Sequence, residues 1–79
     1  MANFNHIEVG DRVTRLLAGV VPMKLIVGKV DETFIYTATP DGVINIEEGW
    51  KFRRDNGNEV DEDLNWDGLT TTGSYLILE

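Results

Sequence analysis

The chain has 79 residues, of which 42% are apolar and 27% charged, with a net charge of −7 and no cysteine. One domain fits in that length, the composition is that of a globular rather than a disordered chain, and disulfide staples and thiolate metal sites are excluded. No apolar run reaches the roughly 18 residues of a membrane span, and the opening Met1–His6 segment has no Lys or Arg and no continuous apolar stretch, so a cytoplasmic protein with no signal peptide is expected.

Turn residues recur every 8–12 positions, from Gly10-Asp11 through Pro40-Asp41-Gly42 and Asn56-Gly57 to Gly73-Ser74. Short apolar runs between such turns predict a small all-β barrel. Residues 1–8 read as a flexible N-terminal arm and 9–79 as the domain. The first strand is predicted over Arg12–Leu17. The second runs from Met23 to Val30, with a bulge or bend at Gly28, which has no side chain to pack. Thr33–Ala38 is rich in β-branched and aromatic residues and predicts a third. After the Pro40-Asp41-Gly42 turn, Val43–Ile46 predicts another. Trp50–Arg53 follows, with Trp50 and Phe52 on one face.

Asn56-Gly57 predicts a type I′ hairpin, a turn that needs positive φ at both central residues. It would set Lys51–Arg54 against Glu59–Val60, with Arg53 and Arg54 paired to Glu59 and Asp61. Asp61 is placed to cap one helical turn over 61–66, with acids in its first turn. Thr70–Gly73 leads into a final strand, Ser74–Leu78, which is apolar on both faces and is expected inside the sheet or covered rather than as a bare edge. Five or six short antiparallel strands in so few residues predict an SH3-like barrel, because rolling the sheet removes most of its edges.

Two sets of motifs carry a resemblance. The stretch Val9-Gly10-Asp11 to Gly19, followed by Val21-Pro22-Met23 and an apolar strand, resembles YodC-like proteins. The second half, Gly49-Trp50-Lys51-Phe52, Gly57-Asn58-Glu59-Val60-Asp61, Leu64-Asn65-Trp66 and Thr72-Gly73-Ser74, is similar to a group of small uncharacterised bacterial proteins. The resemblance implies a small β-barrel and no particular activity. YodC-like chains lack the acidic segment, so that likeness stops near Phe52.

Catalysis is not expected. Ser74 is the single serine and His6 the single histidine, and an arm cannot hold His6 within reach of Ser74. Carboxylates are plentiful, but they lie in polar stretches, whereas general acid–base work needs an apolar pocket. Asp61-x-Asp63-x-Asn65 imitates the start of an EF-hand loop. Trp66 then stands where the Gly belongs and Thr72 where the bidentate Glu belongs, so no metal and no cofactor are expected.

The charge is uneven. Arg12, Arg15, Lys24 and Lys29 balance Glu8, Asp11, Asp31 and Glu32 in the first forty residues, and the whole acidic excess lies beyond them. Asp55, Glu59, Asp61, Glu62, Asp63 and Asp67 crowd into 55–67, beside Trp50 and Trp66. Two roles are open for this segment: a solvated face with both tryptophans in the core, or a surface that takes a protein or basic peptide. A non-catalytic interaction module using these eight residues is the leading expectation. A self-associating accessory subunit, monomer or weak homodimer in solution, is the second. A nucleic-acid accessory protein using Arg12, Arg15, Lys24 and Lys29 is the third, opposed by the overall acidity.

Overall fold

The computed structural model describes residues 4, 6–69 and 73–78. The other positions of the 1–8 arm and the Thr70–Thr72 approach to the last strand lie outside the described residues. Seven antiparallel strands form one sheet: β1 (Arg12–Leu17), β2 (Val21–Val30), β3 (Phe34–Ala38), β4 (Lys51–Arg53), β5 (Glu59–Asp61), β6 (Trp66–Asp67) and β7 (Ser74–Leu78), in the order β6-β5-β4-β3-β2-β1-β7. The sheet curls into a half-barrel. An isolated Asn58↔Tyr75 bridge and the Leu76 N–H donating to the Gly57 carbonyl at 2.8 Å tie the β4–β5 turn to β7.

Period-two alternation fixes what faces inward. Val13 and Leu25 are partners across β1 and β2, and Ile35 and Phe52 across β3 and β4. All four are buried, and with Val27 and Leu76 they make the core. The expected irregularity at Gly28 is present as a register shift between Val27 and Lys29. The Ile46 side chain lies on the bare Cα of Gly28, so the bulge also seats the long loop that follows β3. Past the bulge, Lys29 stands opposite Tyr36.

Four expectations are corrected. Phe4 and Ile7 are not part of a detached arm. Both are buried in the core, where Phe4 packs on Gly57 and its carbonyl accepts from the Arg54 guanidinium at 3.4 Å. Val43–Ile46 is not a strand. The Val43 N–H goes to the Asp41 carboxylate and the Ile44 N–H to the Thr39 hydroxyl, so side chains hold a loop and take the bonds a strand partner would need. The Val43 N–H, followed by the Thr39 side chain, holds the Asp41 carboxyl below its usual range.

The β4–β5 connection is not a type I′ turn, since only Gly57 is left-handed (φ 78°). The Arg53 carbonyl accepts from the Gly57 N–H and the Asn58 carbonyl from the Arg53 N–H, both at 2.8 Å. The predicted segments still pair, but two residues out of step with a two-residue Asn56-Gly57 turn: Phe52, not Arg54, stands opposite Glu59. Finally, Arg53 and Arg54 do not serve Glu59. Arg53 binds Asp55, and Arg54 donates to the backbone carbonyls of Phe4 and Asp31.

Candidate partner-binding site

The acidic segment folds back on itself. After β5, Asp61 caps a 3-10 turn over Glu62–Leu64, accepting from the Asp63 N–H at 3.0 Å. Asn65 then takes a left-handed conformation (φ 58°), which Asn tolerates better than most residues. That reversal lays β6 antiparallel against β5, pairing Val60 with Asp67 and Asp61 with Trp66. The result is an open groove of about 410 Å³ lined by Val60, Glu62, Asn65, Trp66 and Asp67. The Trp66 ring lies over the Cα of Gly73 and is half-buried. Apolar surface from Val60 and Trp66 thus sits between the carboxylates of Glu62 and Asp67.

The sequence-predicted site residues divide. Trp66, Glu62 and Asp67 line the groove, and Asp61 and Asp63 flank it in the turn. The Asp67 carboxylate also accepts from the Leu69 N–H at 2.9 Å. Asp55 lies on the neighbouring loop, bound through both oxygens to Arg53 at 2.9 and 2.8 Å. That guanidinium lowers the Asp55 pKa, and the carboxylate raises that of Arg53.

Glu59 is absent from the surface. It is 1% exposed and forms an ion pair with Arg15 at 2.6 Å, the Arg15 side chain being only 9% exposed. Trp50 belongs to this interior cluster: the Arg15 guanidinium stands 4.8 Å from the centre of its ring. Phe52 faces the core as expected, while Trp50 is half-buried at its margin. Val60 and Asn65 were not singled out in the sequence. Period two from the inward Glu59 puts Val60 outward, and an Asn just after a short acidic turn is the local signal for a left-handed reversal.

The four cations of the expected N-terminal strip are likewise separated. Arg15 turns inward to Glu59, Arg12 and Lys24 are exposed on β1 and β2, and Lys29 lies against Tyr36 at 5.1 Å from the ring centre. Among the described residues no three His, Cys, Asp or Glu side chains gather as a metal site. His6 is exposed, and Ser74 is buried on β7 opposite Leu17. No described helix is long and apolar enough to cross a membrane. Compared with known proteins, the chain matches no family model, no curated protein and no solved structure.

Proposed function

We propose that the chain is a non-catalytic interaction module, an SH3-like barrel whose β5–β6 groove receives a lysine- or arginine-bearing peptide segment. The observation that carries this reading is the juxtaposition of the half-buried Trp66 ring and Val60 with the Glu62 and Asp67 carboxylates around one open groove. A long cationic side chain has two parts, an apolar stem and a charged head. The stem lies along Val60 and the Trp66 ring, and the head reaches a carboxylate. The ring adds a cation–π attraction worth about 0.5–2 kcal/mol, depending on how far the contact is desolvated. Each such contact is modest, so the expected affinity is weak and sensitive to salt.

The test is a titration of an arginine-rich peptide followed by tryptophan fluorescence, with Glu62→Lys and Trp66→Leu as variants. The reading predicts binding that weakens with salt and falls in both variants. Equal affinity in wild type and both variants would remove the groove from consideration.

A second reading, self-association, is favoured by one observation. The tip of the β1–β2 hairpin leaves Leu17, Val20, Val21 and Met23 exposed next to one another, and adjacent exposed apolar residues mark contact surfaces. Sedimentation across protein concentration decides it: a rising mass that Val20→Asp plus Val21→Asp abolishes supports self-association, and a constant monomer mass opposes it.

A further inference from the structure

A second surface lies on the outer face of β2, β3 and β4. Phe34 and Tyr36 alternate with the buried Ile35 and Thr37, so both rings turn outward from β3. Across the sheet, Lys51 stands opposite Tyr36 and Arg53 opposite Phe34 on β4, while Lys29 stands opposite Tyr36 on β2. The Lys51 ammonium is 4.6 Å from the centre of the Phe34 ring, and the Lys29 ammonium 5.1 Å from that of Tyr36. Neither lysine is held in an ion pair among the described residues. The rings are fixed from below: the Asp31 carboxylate accepts the N–H groups of Thr33 and Phe34 at 2.8 and 2.6 Å and the Tyr36 hydroxyl at 3.2 Å.

We propose that this face binds single-stranded nucleic acid, Lys29 and Lys51 swinging off the ring faces they now cover to take phosphates while Phe34 and Tyr36 each stack a base. The chemistry is complementary. Every base has a π face that an aromatic side chain can stack, which makes such platforms tolerant of sequence, and flanking cations follow the backbone. The ring geometry selects a single strand. The two ring centres are 6.3 Å apart and their planes are inclined at 67°, edge toward face, so the rings offer two differently tilted platforms that consecutive stacked bases cannot both meet. Neighbouring bases therefore reach both rings only from an unstacked, extended chain, which a duplex does not offer.

Net charge argues against nucleic acid for the chain as a whole, and one carboxylate, Asp31, does lie at this face, where it is engaged by the Thr33 and Phe34 N–H groups and the Tyr36 hydroxyl. The groove acids Glu62 and Asp67 lie on the β5–β6 side, and the two lysines flank β3. Asp55 occupies Arg53, which leaves the lysines as the phosphate ligands.

The test is fluorescence anisotropy of a labelled oligothymidylate, titrated with the protein at low and rising salt. Two neutralised phosphates predict a slope of log affinity against log salt of about −1.4, since each contributes about −0.7 on a single strand. Lys29→Ala with Lys51→Ala brings the slope toward zero. Phe34→Leu with Tyr36→Leu weakens binding by at least about five-fold, the lower end for losing one stacked base. Retained amide dispersion in the NMR spectrum of each variant confirms its fold. No anisotropy change at low salt would overturn the proposal, as would equal binding of a duplex. Displacement by polyglutamate as effective as by unlabelled oligothymidylate would also overturn it, by showing a general anion surface.

Discussion

Two regions of this molecule contain the same ingredients, an acid and a tryptophan from the segment 50–67, and they differ in what surrounds them. In the first, Glu59 is 1% exposed, paired with Arg15 at 2.6 Å, and Arg15 in turn lies over Trp50. In the second, Glu62 and Asp67 border an open groove beside Trp66. One strand separates them: Glu59 on β5 faces inward, and the next residue, Val60, faces outward into the groove. The same carboxylate chemistry is therefore structural at Glu59 and solvent-facing at Glu62. A buried charge must be paired because desolvation costs several kcal/mol per ion. A solvated one carries no such obligation and can exchange water for a ligand.

The sharpest way to break this comparison is to remove one acid from each region. Glu59→Ala leaves the Arg15 guanidinium buried without its partner and should cost about 3–5 kcal/mol in chemical denaturation. In a domain of this size that approaches the whole stability. Glu62→Ala, on the rim, should stay within about 0.5 kcal/mol. Comparable losses from the two would dissolve the distinction.

Removing both partners together sharpens it. The double variant Arg15→Met, Glu59→Leu should fold, with stability near wild type or raised by about 1–4 kcal/mol, as when a buried ion pair is replaced by packed apolar side chains. A double variant no more stable than Glu59→Ala would mean that the pair supplies more than charge compensation. Peptide binding should survive in it, because the groove is untouched.

Trp66→Leu should lower peptide affinity by about 2- to 30-fold, the equivalent of the cation–π contribution. Trp50→Leu should leave affinity unchanged in the folded protein while lowering stability, since Trp50 packs against the core.

The smallest effects belong to the surface carboxylates. Asp55→Ala removes an exposed pair and should cost at most about 1 kcal/mol. Asp31, Asp41 and Asp55 all have pKa values below the ordinary range, held by the Phe34 N–H, the Val43 N–H and Arg53 respectively. A carboxyl whose folded pKa is depressed stabilises the protein above its unfolded pKa, about 3.9, and loses that contribution as pH falls through the folded value. Stability should thus be level near neutrality with respect to these groups and decline from about pH 4 downward. Asp31→Asn should blunt that decline, measured by denaturation at stepped pH.

Much of the strand pattern was legible because it is local. Arg12–Leu17 and Ser74–Leu78 form strands with the predicted bounds, the bulge falls at Gly28, and Asp61 caps the short turn as its position before Glu62 and Asp63 implies. What was hidden depends on distant partners. Glu59 lies in an acidic run and reads as solvated. Its partner, Arg15, is 44 residues away, and only the curl of the sheet brings β1 over β5. Phe4 and Ile7 carry no periodicity that would mark them as core, and the Phe4 ring takes the room that Gly57 leaves. Val43–Ile46 has strand-forming residues, but Thr39 and Asp41 capture its N–H groups. The groove was half legible. Its acids and Trp66 are conspicuous in the sequence, whereas Val60 and Asn65 enter it through alternation and a left-handed turn.

The most direct measurement follows the two indole N–H signals of the labelled protein in an NMR titration with an arginine-rich peptide. The account predicts that the Trp66 signal moves progressively, together with the amides of 60–67, while the Trp50 signal stays in place beneath Arg15. Movement of Trp50 alone, or of neither indole at saturating peptide, would contradict it.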